Sequence, residues 1–306
     1  MTIKCEVVKL FSQALEKERR IMNRATTLKP GEIIPLTFDY VFTAIFNNPN
    51  NIDIIESFLS CYFEIPIEEL KGKVTIIPRE LELESKLVKN KQVDLLLDLK
   101  GEKINIELSN QPTIGIINRN IVYACNIHSR QLKYGDNHYA NIEKTIQINL
   151  NNKHTNDTLK ETYFFRNEKG KILSEKFQID MVDMVIGVNT CYTNSETKLA
   201  RWCKALTAKT EEEFKEAIGD GIMEENVKDK LVDEVNKYSN DFETIALYSA
   251  YSREELEKNT LLIDTRREAI NQRNVEIATN MLKKDMSIND IIEITGLTKE
   301  QLEELK

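Results

Sequence analysis

Residues Gln92–Gln111 read Gln-Val-Asp-Leu-Leu-Leu-Asp-Leu-Lys-Gly-Glu-Lys-Ile-Asn-Ile-Glu-Leu-Ser-Asn-Gln. Two apolar-rich runs flank Lys100-Gly101, and a glycine supplies the positive φ that a two-residue hairpin loop needs. With those two residues as the loop, Leu99 faces Glu102 and every other pair follows in register. One face then carries Val93, Leu95, Leu97 and Leu99 against Leu108, Ile106, Ile104 and Glu102. The other face pairs Asp98 with Lys103, Leu96 with Asn105, Asp94 with Glu107, and Gln92 with Ser109.

The Asp94–Glu107 pair carries the information. Side chains directly opposed on one face sit about 4.5–5.5 Å apart at Cβ, and like charges there repel. Two readings are open. The pair shares a divalent cation, since Mg²⁺ takes oxygens from one or two carboxylates together with water and phosphate. Alternatively, both are solvated surface acids on a half-exposed hairpin. The pairing depends on loop length, because a one-residue change moves Glu107 to the other face.

The chain has 306 residues, 41% hydrophobic and 30% charged, which is enough for one large domain or two ordinary ones with a real core. Residues 1–150 hold 19 basic and 19 acidic side chains, so the whole net charge of −8 falls on residues 151–306. No Lys/Arg block is present, so a nucleic-acid site has to be local or to draw positive charge from a metal. Five scattered cysteines without a Cys-x-x-Cys pair, and only three histidines, argue against structural zinc and suit a reducing compartment. No apolar run approaches the ~20 residues that span a bilayer, and the N-terminus has no signal-like apolar stretch. A soluble cytoplasmic protein without a membrane partner is expected.

In chain order, residues 5–24 pattern as an amphipathic helix. Thr37 is a suitable N-cap for a helix through Phe46, with Asp39 in its first turn, where the dipole favours an acid. Ile52–Tyr62 patterns as a second helix and Val74–Ile77 as a short strand. Glu80–Glu84 alternates strictly. After the hairpin, Ile114–Leu132 returns to helical period, with Ile114, Ile117, Ile121, Cys125, His128 and Leu132 as the packed face. Arg119, Tyr123, Asn126 and Arg130 lie on a second, polar face, available to phosphate or simply solvated. His128 reads as packed rather than catalytic. Gly135-Asp136-Asn137 marks a turn. Thr145–Leu150 reads as a strand alternating Ile146, Ile148 and Leu150 with Gln147 and Asn149. Tyr163–Phe165 and Lys171–Val182 read as two more strands, and the chain is helical and acidic from about Asn194.

Three features coincide in order. They are Thr-Phe-Asp-Tyr-Val-Phe-Thr-Ala-Ile-Phe at 37–46, the hairpin acids at 93–108, and Arg119-x-x-x-Tyr123 followed by Gln131-Leu-Lys-x-Gly135-x-x-x-Tyr139. Together they resemble the PD-(D/E)XK nuclease superfamily, and within it the recombination-promoting nuclease and transposase group. The tail from Met281 to Leu302 is similar to C-terminal helices common in that group. The resemblance implies an α/β fold: a restriction-endonuclease-like core, with a mixed central β-sheet flanked by helices, plus an α-helical C-terminal region. The expected divisions are a helical arm over 1–30, the nuclease-like domain over 31–190 and the helical region over 191–306.

The resemblance also implies a Mg²⁺ (or Mn²⁺) dependent endonuclease acting on DNA. Asp94 and Glu107 match the acids that hold the metal, the Leu108 carbonyl a third ligand, and Asp39 the acid of the first helix. Arg119 matches the basic residue of the helix behind the site, with Tyr123 beside it on the substrate-binding face. Position 109 departs from the pattern. It is Ser where the superfamily has Lys and this group often Gln. Ser109 is short and neutral and cannot act as a cation, and Gln92, opposite it, could fill the same space. A degenerate nuclease that binds nucleic acid or protein without cutting is therefore the alternative. Met286–Leu302 has the helix–Gly–helix spacing of a helix-turn-helix, but its charges are mixed and no Arg leads its second helix. It reads as a helical hairpin for packing, or for a homo-oligomer built through the C-terminal helices.

Overall fold

The computed structural model describes residues 28–78, 80–81, 91–132, 139–191 and 196–305, with the backbone alone at 80–81 and 91–92. The helix expected over 5–24, the alternating run beyond residue 81 and the turn at Gly135 lie outside the described residues. The chain divides into two compact units, one spanning Thr26–Ile245 and the other containing Ala246–Lys306.

The first unit is built on a six-stranded mixed sheet. Its strands are β1 (Val74–Ile77), β4 (Leu95–Leu99), β5 (Glu102–Ser109), β6 (Thr145–Asn151), β7 (Lys160–Tyr163) and β8 (Phe177–Asp183), in the order β1-β4-β5-β6-β8-β7. β2 (Glu80–Leu81) and β3 (Lys91–Gln92) form a separate two-stranded ladder. β4 is antiparallel to both β1 and β5, β5, β6 and β8 run parallel, and β7 is antiparallel to β8. The β4–β5 hairpin has the expected register, Leu99 opposite Glu102. Lys100 and Gly101 both take positive φ, 54° and 100°, as a type I′ turn demands.

One face of the sheet is apolar and is covered by α1 (Asp39–Phe46), α2 (Ile52–Phe63) and α5 (Lys198–Thr207). Phe42, Phe46, Phe58 and Leu206 meet Leu95, Ile106 and Leu150 there. Trp202 packs edge-on to Phe58 at 5.4 Å and near Phe46 at 6.5 Å. Two buried polar side chains of β8, Gln178 and Asp180, share this face, and Asp180 accepts from the Tyr62 hydroxyl and from Gln178. The opposite face is covered by α3 (Ile114–Ser129), the crossover between the parallel strands β5 and β6.

Three details differ from the expectation. The β4 ladder ends at Leu95. The chain bends at Asp94, and Val93 packs with Leu96, Tyr123 and Ile127 rather than with Leu95 and Leu97. Thr37 does not cap α1: its N–H donates to the Leu206 carbonyl and its own carbonyl accepts from Asn110, so the helix starts after Phe38. The third difference is the rotation of α3. Ile114 is 73% exposed and Cys125 is exposed, while Asn120, Tyr123, Ala124 and Ile127 are buried. The helix turns its mixed face inward because the strands beneath it present polar side chains.

Past β8, α4 (Met184–Thr190), α6 (Glu211–Ala217) and α7 (Glu225–Ser239) complete this unit. α8 (Phe242–Leu282) leads into the second unit, where α9 (Ile288–Thr295) and α10 (Lys299–Glu303) fold onto its end. Ala278, Ile291, Leu297 and Leu302 form the core of that packing. Ser287 and Thr298 cap the two short helices, and Gly296 turns between them at φ 68°. The hairpin thus spends its apolar face on packing against α8.

Gly187 of α4 lies against α5: a Cβ there would stand 2.7 Å from the Cβ of Cys203 and 3.0 Å from Leu159. Gly187→Ala is expected to destabilise the chain. Overpacking costs about 1–3 kcal/mol, and the neighbour is a Cβ that cannot swing away. The helix-propensity gain of up to ~1 kcal/mol offsets only part of this. A fall in the urea midpoint at unchanged slope checks it.

Candidate active site

β5 alternates its side chains across the sheet, so Asn105, Glu107 and Ser109 share the α3 face. Glu107 is 1% exposed. Its Oε1 accepts from the Asp94 N–H at 3.3 Å and from Asn105 Nδ2 at 3.2 Å, while Oε2 lies 3.5 Å from the Arg119 guanidinium. Asp94 sits at the bend beyond the last ladder pair, where its Oδ2 accepts from the Leu108 N–H at 2.9 Å. The bend makes this bond available. In the continued ladder the Leu108 N–H and C=O would both have faced Val93. With β4 gone, the carboxylate takes the N–H, and the Leu108 carbonyl leaves the strand on the same edge.

The two acids therefore meet, although not as a Cα-paired couple. Burial, and after it the charge of Asp94, pushes the Glu107 carboxyl up to about 8, against the Asn105 hydrogen bond and Arg119. Asp39, in the first turn of α1, reaches solvent, yet desolvation and then Asp94 raise its carboxyl above the ordinary range, with Arg119 opposing. Asp39, Asp94, Glu107 and Arg119 thus form one electrostatic group. The Thr37–Asn110 bond ties the start of α1 to the end of β5 and so holds Asp39 on this side.

Arg119 is 45% exposed and lies over the Tyr123 ring at 5.5 Å, one edge on Glu107 and the other toward solvent. Ser109 is buried, and its Oγ has no hydrogen-bond partner among the described residues. Gln92 does not stand opposite Ser109: its backbone pairs with Glu80 in the separate β2–β3 ladder, because the chain has left the sheet at Asp94, and its side chain lies outside the described residues. His128 is packed: it meets Thr145 Oγ1 at 2.9 Å and the Phe177 ring edge-on, and desolvation lowers its pKa.

Among the described residues no three His, Cys, Asp or Glu side chains converge as a self-sufficient metal cluster. The donors present are two carboxylates, the Leu108 carbonyl and an unpartnered hydroxyl at Ser109. All are hard oxygens, and burial first, then the negative charge of Asp94, holds the Glu107 carboxyl near 8. That set fits a Mg²⁺-like ion completing its shell with water and phosphate, and does not fit zinc.

The sequence reading missed a layer behind the acids. Asn105, Gln147, Asn149 and Asn120 are buried. The pattern on β6 was visible, as Ile-Gln-Ile-Asn-Leu, but amides alternating with aliphatics are the ordinary signature of a solvent-facing strand side. Here all seven residues of β6 are buried.

A family model described as PD-(D/E)XK nuclease family transposase matches residues 36–264, a stretch that contains every one of these positions. No curated protein and no solved structure matches the chain.

The raised Glu107 carboxyl makes stability pH-dependent. The folded chain holds this proton up to about pH 8, whereas the unfolded chain releases it near the ordinary carboxyl range. The contribution of the neutral form is therefore full at acid pH and is lost as pH rises through about 8. Glu107→Gln mimics the protonated state. It is expected to be more stable than wild type by roughly 1–3 kcal/mol at pH 9, with the gap closing toward pH 5. Thermal melts across that range check it.

Proposed function

The chain belongs to the PD-(D/E)XK nuclease transposase family, and from that premise we propose that it is a metal-dependent DNA endonuclease. The observation that carries the reading is the meeting of the Asp94 and Glu107 carboxylates at the bend where β4 leaves the sheet. Asp94, Glu107 and the Leu108 carbonyl are the proposed ligands for Mg²⁺ or Mn²⁺. A bound ion of this kind supplies Lewis-acid polarisation of the scissile phosphate and acidifies the attacking water.

The chain's own residues do the rest. Glu107 must be deprotonated to bind, so ion binding displaces its proton and tightens as pH rises toward 8. Asp39 orients water or helps to hold a second ion. The solvent-facing edge of Arg119 steadies a phosphate oxygen, with Tyr123 supporting the guanidinium from below. Ser109 offers a hydroxyl but no charge, so the fixed positive charge comes from Arg119 rather than from a strand lysine.

Ser109 also supports a second reading, in which the site binds ion and nucleic acid without cutting. Plasmid nicking with Mg²⁺ or Mn²⁺ separates the two. Wild type is expected to nick, and Asp94→Ala and Glu107→Ala to lose at least ~100-fold, the order expected when charge stabilisation at the reacting phosphate is removed. Equal activity in wild type and Asp94→Ala would sink the endonuclease reading. Calorimetric ion binding without cleavage of any DNA form would favour the second.

The proposal includes self-association through the C-terminal helices and no membrane role. Among the described residues no helix is long and apolar enough to cross a membrane. α8 exposes Leu256, Leu261, Leu262, Ile263 and Ile270, which supports a protein contact there. Ile263→Glu is expected to reduce the mass in solution to that of one chain. A wild type already at single-chain mass would remove this role.

A further inference from the structure

The four buried amides behind the acids are not independent of one another. Asn105 Nδ2 donates to Glu107 Oε1 at 3.2 Å and to Gln147 Oε1 at 2.7 Å. Gln147 Nε2 donates to Asn149 Oδ1 at 3.1 Å, and Asn120 Nδ2 donates to the same oxygen at 2.7 Å. Arg119 Nε donates to Asn120 Oδ1 at 3.2 Å, and the same guanidinium reaches Glu107 Oε2 at 3.5 Å. The bonds close a six-membered ring through β5, β6 and α3, and Asn149 anchors it by donating to the Asp180 carbonyl of β8 at 3.1 Å.

We propose that Gln147 and Asn149 are positioning residues. Acting through Asn105 on one side and Asn120 on the other, they hold the Glu107 carboxylate and the Arg119 guanidinium in one fixed geometry for divalent-ion binding. The proposal rests on the ion-binding reading above.

Three observations support it. First, neither the apolar packing of β6 nor its backbone pairing depends on these amides. The opposite face of β6 carries Ile146, Ile148 and Leu150, all buried, and the ladders to β5 and β8 are complete in backbone alone. Second, the donors and acceptors have a direction. Asn105 gives two hydrogen bonds and Arg119 gives one hydrogen bond and one ion pair, while Glu107 and Asn149 are each approached from both sides. Each Glu107 oxygen is therefore met from a different arm of the ring, which opposes rotation of the carboxylate. Third, an amide held at only one end rotates. Without Gln147, Asn105 would keep Glu107 as a partner but lose the contact that aims it. Groups behind a metal ligand act in this way, and their removal typically costs about 10–100-fold in ion affinity.

The test is Mn²⁺ titration of the full chain at pH 8, by calorimetry and by the electron paramagnetic signal of the free ion. Gln147→Met keeps the volume and removes both ring bonds of residue 147. It is expected to melt cooperatively and to bind Mn²⁺ about 10–100-fold more weakly. Ile148→Val, on the other face of the same strand, is expected to lose some stability and to keep wild-type affinity. That contrast separates positioning from a merely structural effect. Should Gln147→Met fail to fold, Asn120→Ala breaks the ring from the helix side and is expected to weaken binding likewise. Affinity within about twofold of wild type in a folded ring variant would overturn the proposal, as would an equal loss in Ile148→Val. Saturable binding in wild type with unchanged binding in the ring variant leaves the ion site standing and removes only the positioning role. No binding in wild type removes both.

Discussion

Glu107 lies in a strand second from neither edge of the sheet, under a helix, and is almost wholly shut off from water. A carboxylate in such a place is costly unless hydrogen bonds and opposite charge meet it. Much of the local structure answers that demand. β4 breaks off at Asp94, whose freed N–H points at Glu107. α3 rolls so that Arg119 and Asn120 face the sheet, although its aliphatic residues Ile114 and Ile121 are left in solvent. The strands beneath supply amides where aliphatics would otherwise pack. The demand is still not fully met: burial first, and then the charge of Asp94, keeps Glu107 protonated to about pH 8. In the reading proposed above, a bound cation relieves this condition.

The hairpin was legible because its turn is local chemistry. Lys100-Gly101 specifies a type I′ loop, and a two-residue loop leaves one register. The acids followed from that register, and their contact survives even though the ladder stops one pair short of them. Thr37 misled because capping preference is a statement about an isolated helix. In the folded chain its backbone is held by Leu206 and Asn110, partners distant in sequence. The start of β8 was placed too early for a related reason. Leu173 lies in the loop, highly exposed, and only from Phe177 onward does the segment pair with β6.

The orientation of α3 and the amide layer were illegible together, and for one cause. Hydrophobic periodicity locates a helix face only when the surface it meets is apolar. Here much of the partner surface is Asn105, Glu107, Gln147 and Asn149, so the helix presents Asn120 to it, while Tyr123 packs beside it on Val93 and Leu96. Each half of the contact, read alone, looks like a solvated face. Only the parallel pairing of β5 with β6, which puts 105 beside 147 and 107 beside 149, shows that the polar sides answer each other.

The closed ring has a consequence for how this chain can change over generations. Along an apolar core, one aliphatic can replace another and leave the neighbours content. Around the ring, each member is the donor or acceptor another one counts on, so a lone replacement strands a buried polar group beside it. Drift at Asn105, Gln147, Asn149 or Asn120 is therefore tolerated best as a joint event, in which partners are exchanged together. Among relatives, these four positions should be inherited as a block and be lost as a block, most readily in lineages where the acids at 94 and 107 have also gone.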